Sequence, residues 1–202
     1  GLDFGEGGAA EAPKQIPLAR ALEALKPMLE EPGILKIGQN LKYDMLVLSK
    51  YGIAVGPVDD TMLLSYVLDG GRNGHGMDEL AELHLGHTTI KYKDVARVGR
   101  TQVTFDLVPL DRALDYAAED AEVTLRLHRI LKPRLLAERM VTVYETIERP
   151  LIPVLASMER AGVRVDPAAL RALSRDFTQR MAGLEDEIHR LAGEDFNIAS
   201  PK

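Results

Sequence analysis

The sequence of 202 residues contains no cysteine. Disulfides and thiolate metal sites are thereby excluded. Any bound metal must sit on carboxylates and imidazoles, which favours hard ions such as Mg²⁺ or Mn²⁺. No apolar run approaches the ~20 residues that cross a bilayer, so the chain reads as cytoplasmic, with no membrane partner. The opening GLDFGEGGAAEAPKQ is rich in Gly and acid, unlike a signal or transit peptide. Its GEGG follows no strand and carries no GK[ST], so it is no phosphate loop. Basic charge is also short: 25 Lys and Arg against 31 Asp and Glu give a net charge of −6. A nucleic-acid binder usually shows a basic face, so this balance counts mildly against one, unless metal ions neutralise local acid. His75, His84, His87, His128 and His189 show no HxxxH-type ligand spacing, and His84 and His87 read as surface residues. There are no internal repeats.

A 46% share of hydrophobic residues and 28% of charged ones describes a globular chain. Residues 1–15 read as a loop punctuated by Gly5, Gly7, Gly8 and Pro13. Leu22, Leu25, Met28 and Leu29 recur at helical spacing within a helix from Leu18 to Glu31, which Pro32 and Gly33 stop. ILKIG, Ile34 to Gly38, is a short buried strand between breakers. Asn40 is placed to cap the helix LKYDMLVLSKYG. AVGPV reads as a second strand ending at Asp59 and Asp60, and TMLLSYVLDGG as a third helix. A short helix spans Met77 to Leu85, followed by a looser stretch to Gln102. PLDRALDYAAEDAEVTLRLHRILKPRLL is a long helix expected to break near Pro133. Another helical stretch, Glu138 to Gly162, should kink at Pro150 and Pro153. Pro167 to Ala192 is an amphipathic helix whose Leu-rich stripe marks packing positions. Alternating strands and helices define an α/β class before about Leu136, with an almost wholly helical region after it.

Three carboxylate groups stand out. Tyr116 and Asp120 are four apart, so a helix places them on one face; a solvated polar face and a metal site with a phenol aimed at its water are the competing readings. Asp44 lies in the first turns of a helix directly after a strand, where α/β sheets build their sites, beside Gln39 and Asn40. The plainer reading of Asp44 is an exposed acid favoured by the helix dipole. Asp59 and Asp60 could be a metal pair, but the favoured reading makes Asp60 a helix cap and leaves Asp59 exposed.

Taken together, KIGQNLKYD, DTMLLSYVL, MDELAE, TFDLVPLDRALDYAAEDAEVTLRLH and ERPLIPVLASMERAGVRVD occur in order. In this they resemble the 3′–5′ proofreading exonuclease domains of bacterial family A DNA polymerases, members of the DEDDy, ribonuclease H-like superfamily. The shorter motifs are also shared by ribonuclease D-like exonucleases, whereas IERPLIPVLASMERAGVRVD resembles the join into the polymerase domain. The resemblance implies an α/β, ribonuclease H-like exonuclease fold over residues 1–136 and the first helices of a polymerase domain over residues 137–202. It implies a monomer acting on DNA, at a single-stranded 3′ end and on primer–template.

It further implies two divalent cations, Mg²⁺ or Mn²⁺ with Zn²⁺ as a further option, straddling the 3′-terminal phosphate. Asp120 and Asp44 would be metal ligands, with Tyr116 orienting the attacking water; a phenol of pKa about 10 suits hydrogen bonding better than strong-base chemistry. Gln39, Asn40, Met77 and Tyr92 would touch DNA, Tyr92 by stacking. The first family motif, Asp-x-Glu on an opening strand, is not found in the N-terminal part, where Asp3 and Glu6 have the wrong spacing. The expectation is a chain truncated at its N-terminus, with a sheet edge uncovered and weak or no activity alone. The alternatives are a catalytically silent exonuclease-like domain supporting a polymerase, and a stand-alone ribonuclease D-like exonuclease.

Overall fold

The computed structural model describes residues 14–98 and 101–199. The Gly-rich opening with Asp3 and Glu6 lies outside the described residues. By its contacts the chain forms two compact units, one running to Arg160 and one from Ala161.

In the first unit α1 (Leu18–Glu30) leads into β1 (Lys36–Gly38). Then come α2 (Leu41–Ser49), β2 (Val58–Asp60) and α3 (Thr61–Asp69). β1 and β2 are parallel, with Lys36 opposite Val58 and Gly38 opposite Asp60; α2 supplies the crossover that parallel pairing requires. The second strand thus ends at Asp60 as the sequence reading had it, but starts at Val58 rather than at Ala54. Pro57 has no N–H to give a ladder, and the pairing with β1 sets the register instead. Among the described residues β2 is the only strand paired with β1.

α4 (Met77–Leu85) falls where its apolar spacing put it. The looser stretch holds α5 (Tyr92–Val95) and the small antiparallel pair β3 (Arg97–Val98) and β4 (Thr101–Gln102). A 3₁₀ turn, Phe105–Leu107, precedes α6 (Leu110–Ala137). α6 runs through Pro133 without the expected break. Leu131 and Leu135 on either side are buried in the core, and that packing outweighs one missing backbone hydrogen bond. The expected irregularity appears further on: α7 (Val141–Val143), a π turn over Tyr144–Glu148, and α8 (Arg149–Ala161). Pro150 cannot donate to the preceding turn, and the chain widens just before it.

The main core joins α3, α4 and α6 through Leu64, Leu80, Val123, Leu127, Leu131 and Leu135, and closes on Tyr144. A second cluster gathers Leu41, Ile53, Val55, Val58 and Ile152. A third, Val95, Ala96 and Val108, packs beneath Tyr116.

The second unit contains α9 (Pro167–Ala192), capped by Asp166, whose carboxylate accepts from Ala168 and Ala169 N–H. α9 buries none of its residues; Leu170, Leu173, Leu184 and Leu191 are exposed, which corrects the reading of this stripe as packed. A single long helix has no second layer in its own unit to bury against.

Candidate active site

The end of β1 and the start of α2 are one tight corner. Gly38 leaves room for Leu41: a Cβ there would lie 2.5 Å from the Leu41 Cγ. Asn40 adopts a left-handed conformation (φ 57°, ψ 44°) and its side chain caps nothing, contrary to the sequence reading. Asp60 caps in its place. Its Oδ1 accepts from Asn40 N–H at 3.0 Å and Met62 N–H at 2.9 Å, and its Oδ2 from Leu41 N–H at 2.8 Å. One carboxylate therefore holds the first turns of both α2 and α3, which extends its expected role as a cap. Burial pushes the Asp60 carboxyl up, against the pull of these donors.

This corner places Asp44 in the first turn of α2, and α6 places Asp120 opposite. Both carboxylates line one groove of about 430 Å³ with Gln39, Met77, Gly38 and Thr124. Asp44 and Asp120 form no ion pair with a described Lys, Arg or His. Desolvation raises the Asp120 carboxyl, and the charges of Glu119 and Asp78 add to it, against a hydrogen bond from Tyr116. Desolvation raises Asp44 too, reinforced by the charge of Asp60. Tyr116, one turn before Asp120, is pushed up to about 12 by desolvation and by the Asp120 carboxylate, so it stays a neutral hydrogen-bond donor at neutral pH.

Two acids that line one groove without a cation partner suit a divalent ion, whose charge would relieve both shifts. All donors here are oxygens, which matches Mg²⁺ or Mn²⁺. No cluster of three or more acidic or histidine side chains suited to a metal occurs among the described residues.

The other expected contacts are spread around the groove. The Gln39 side chain lines it, but its amide donates to His75 O at 2.8 Å and its Oε1 accepts from Thr61. Asn40 lines a separate apolar hollow with Tyr66, Leu151 and Ile152. Tyr92, at the start of α5, is exposed and packs edge-on to Tyr116 with ring centroids 6.1 Å apart. Sequence reasoning missed Phe105, which stacks on Tyr92 at 6.2 Å and tilts against Tyr116 at 5.8 Å. It also missed what fixes this aromatic group. Glu119 accepts from Ile90 N–H at 2.6 Å and pairs with His87 at 2.8 Å, and Asp78 binds Lys91 at 2.7 Å. Glu119 and Asp78 thus pin the loop that delivers Tyr92.

Asp59 is the clearest correction. It is not exposed but 1% accessible, the most deeply set acid of the first unit's core. His128 Nε2 lies 2.8 Å from its Oδ2, and Lys132, Arg149 and the Tyr144 hydroxyl reach it at 3.1 to 3.3 Å. Burial alone would raise its pKa; His128, Lys132 and Tyr144 outweigh burial and hold the carboxyl well below the ordinary range.

The chain belongs to the 3′-5′ exonuclease family, whose profile matches residues 3–136. It is 58% identical over 195 residues to DNA polymerase I of Rhizobium leguminosarum, covering 96% of this chain and 19% of that protein. It is 46% identical to DNA polymerase I of Pseudomonas aeruginosa over 94% of this chain and 21% of the relative. The chain thus spans about a fifth of the length of the curated relatives it matches. Among solved structures, the polymerase domain of Pol1 from M. smegmatis in complex with DNA primer-template and dNTP matches with TM-score 0.69 and 23% identity, over 93% of this chain and 29% of that one. NrnC of Brucella melitensis matches with TM-score 0.58 and 23% identity, over 68% and 64% of the two chains. The fold is the α/β, ribonuclease H-like exonuclease fold that the motifs implied, continued by helices.

Proposed function

We propose that this chain is the proofreading part of a bacterial DNA polymerase I, a cytoplasmic monomer, and that it removes nucleotides from the 3′ end of DNA by hydrolysing the terminal phosphodiester. Residues 137–202 would open the polymerase domain. The observation that carries the reading is the shared groove of Asp44 and Asp120, with Tyr116 one helical turn from Asp120. The family match and the two relatives named DNA polymerase I support it.

Asp120 and Asp44 would hold the two divalent ions. Bound there, such ions supply a nucleophilic hydroxide at neutral pH and stabilise the leaving 3′ oxygen. The residues of the chain do the rest. Tyr116 keeps its proton; once Asp120 binds an ion, the hydroxyl would turn from that carboxylate to the attacking water and orient it toward the phosphorus. Tyr92 and Phe105 offer an aromatic surface on which the last base stacks, a way of holding a strand that tolerates any sequence. Gln39 and Met77 would flank the terminal nucleotide along the groove wall, and Asn40, which lines the neighbouring hollow, would meet the strand outside the groove. Among the described residues two carboxylates line the groove, and by themselves they should hold Mg²⁺ weakly, given the strict octahedral demand of that ion.

The test is digestion of a 5′-labelled single-stranded oligonucleotide, in Mg²⁺ or Mn²⁺, by the longer protein that contains this chain, with Asp120→Ala alongside. Stepwise shortening from the 3′ end, lost in the variant, is the expected result. No shortening by either protein would make the domain a silent scaffold, and shortening of RNA alone would favour a ribonuclease.

A further inference from the structure

Asp59 and Asp60 are adjacent on β2, so their side chains leave the strand on opposite sides. Asp59 faces α6: His128 lies 2.8 Å away and Lys132 3.1 Å, about two and three helical turns beyond Asp120. Asp60 faces the other way and takes Asn40 and Leu41 N–H at 3.0 and 2.8 Å, at the start of the helix that carries Asp44. The buried Tyr144 hydroxyl joins the two. It donates to Asp59 Oδ1 at 3.1 Å and accepts Asp60 N–H at 3.2 Å. The two helices bearing the groove carboxylates are therefore each tied to one of two neighbouring residues on a single strand.

We infer that Asp59 and Asp60 are a positioning pair for the metal site, and that their two anchors, locked by Tyr144, set the gap between Asp44 and Asp120. The inference rests on the exonuclease reading above. A pair of carboxylates grips a small divalent ion only when their separation suits it. A cap alone would need only the N–H groups of α3. Asp60 instead spends Oδ2 on α2, three residues before Asp44. A neutral Asn at position 60 has one acceptor oxygen for donors that now share two. Keeping the contacts of Oδ1 would release Leu41 N–H and loosen the first turn of α2.

The experiment uses the longer protein containing this chain, with Asp60→Asn and Tyr144→Phe, and with Asp120→Ala as control. Mn²⁺ binding is followed by electron paramagnetic resonance, the Mg²⁺ dependence of oligonucleotide digestion is measured, and thermal unfolding reports folding. Asp60→Asn should raise the Mn²⁺ dissociation constant and the Mg²⁺ requirement about 10-fold, the scale seen when a residue supporting metal ligands is changed. Tyr144→Phe should shift both a few-fold in the same direction while remaining folded, and it decides the matter if Asp60→Asn does not fold. At saturating Mn²⁺ both variants should regain digestion, whereas Asp120→Ala should not. Folded variants with unchanged Mn²⁺ affinity and Mg²⁺ requirement would overturn the positioning role and leave the exonuclease reading intact. A parent protein that neither binds Mn²⁺ nor digests DNA would overturn both.

Discussion

The first unit holds two pairs of aspartates in opposite surroundings. Asp59 and Asp60 are buried and saturated with hydrogen-bond partners: an imidazole, a lysine, an arginine and a phenol for one, backbone N–H groups for the other. Asp44 and Asp120 open onto a groove without a cation between them, and desolvation and neighbouring acids raise both. The residue type is the same; the environment separates structure from chemistry. A carboxylate with every lone pair satisfied has nothing left to bind. Carboxylates raised by desolvation and by neighbouring acids, Asp60 for one and Glu119 and Asp78 for the other, carry an electrostatic cost that a divalent cation in the groove would relieve.

The comparison breaks most visibly at Asp59. Asp59→Ala would leave His128, Lys132 and Arg149 crowded around an apolar gap, and breaking a buried ion network from one side costs about 3–5 kcal/mol. Urea unfolding should show that loss, and a change under about 1 kcal/mol would mean the network is solvated after all. Asp120→Ala should do the reverse. Cleavage by the longer protein should fall by about 10²–10³-fold, as for loss of one strong electrostatic contact to a transition state, while its melting temperature holds or rises with one repelling charge gone. If unfolding suffers instead, Asp120 belongs with the structural pair.

Acid sharpens the contrast. The folded state holds the Asp59 carboxyl below its ordinary value, so the unfolded chain takes up that proton at higher pH. The stability it contributes is complete above the ordinary carboxylate range and is lost as pH falls below about 3.8 toward the depressed folded value. Melting temperature followed from pH 6 downward should therefore drop more steeply for the wild-type chain than for Asp59→Asn. Parallel curves would show that the depression of Asp59 has no weight in folding.

Legibility in the sequence followed the range of the forces. α4 and α9 appear at their expected bounds because local apolar spacing, capping and breakers define them. Asp44 and Asp120, which share one groove, stood out through local motifs, and Asp60 as a cap through the helix that follows it. Asp59 was misread because its partners lie 69, 73, 85 and 90 residues away, and nothing within a window of sequence signals them. The same holds for the Asn40 corner, where the capping oxygen comes from a residue 20 positions on. Pro133 misled in the other direction: its local cost is real, and the core around Leu131 and Leu135 overrides it.

The smallest expected effect tests the part of the site no pattern revealed. Phe105 sits in a stretch without helical or strand period, yet its ring touches both Tyr92 and Tyr116. Aromatic pairs of this kind contribute about 0.5–1.5 kcal/mol beyond their buried area. Phe105→Leu keeps an apolar side chain while removing both ring contacts, so unfolding should weaken by about 1 kcal/mol. The more telling readout is digestion of single-stranded DNA. If the three rings act as one platform that also steadies the Tyr116 hydroxyl, both the apparent affinity for the strand and the rate at saturating DNA should fall by a few-fold. If Tyr92 alone receives the base, affinity and rate should match the wild type even though stability has dropped. That outcome would limit Phe105 to packing against Tyr92 and Tyr116 and leave the groove to Asp44 and Asp120.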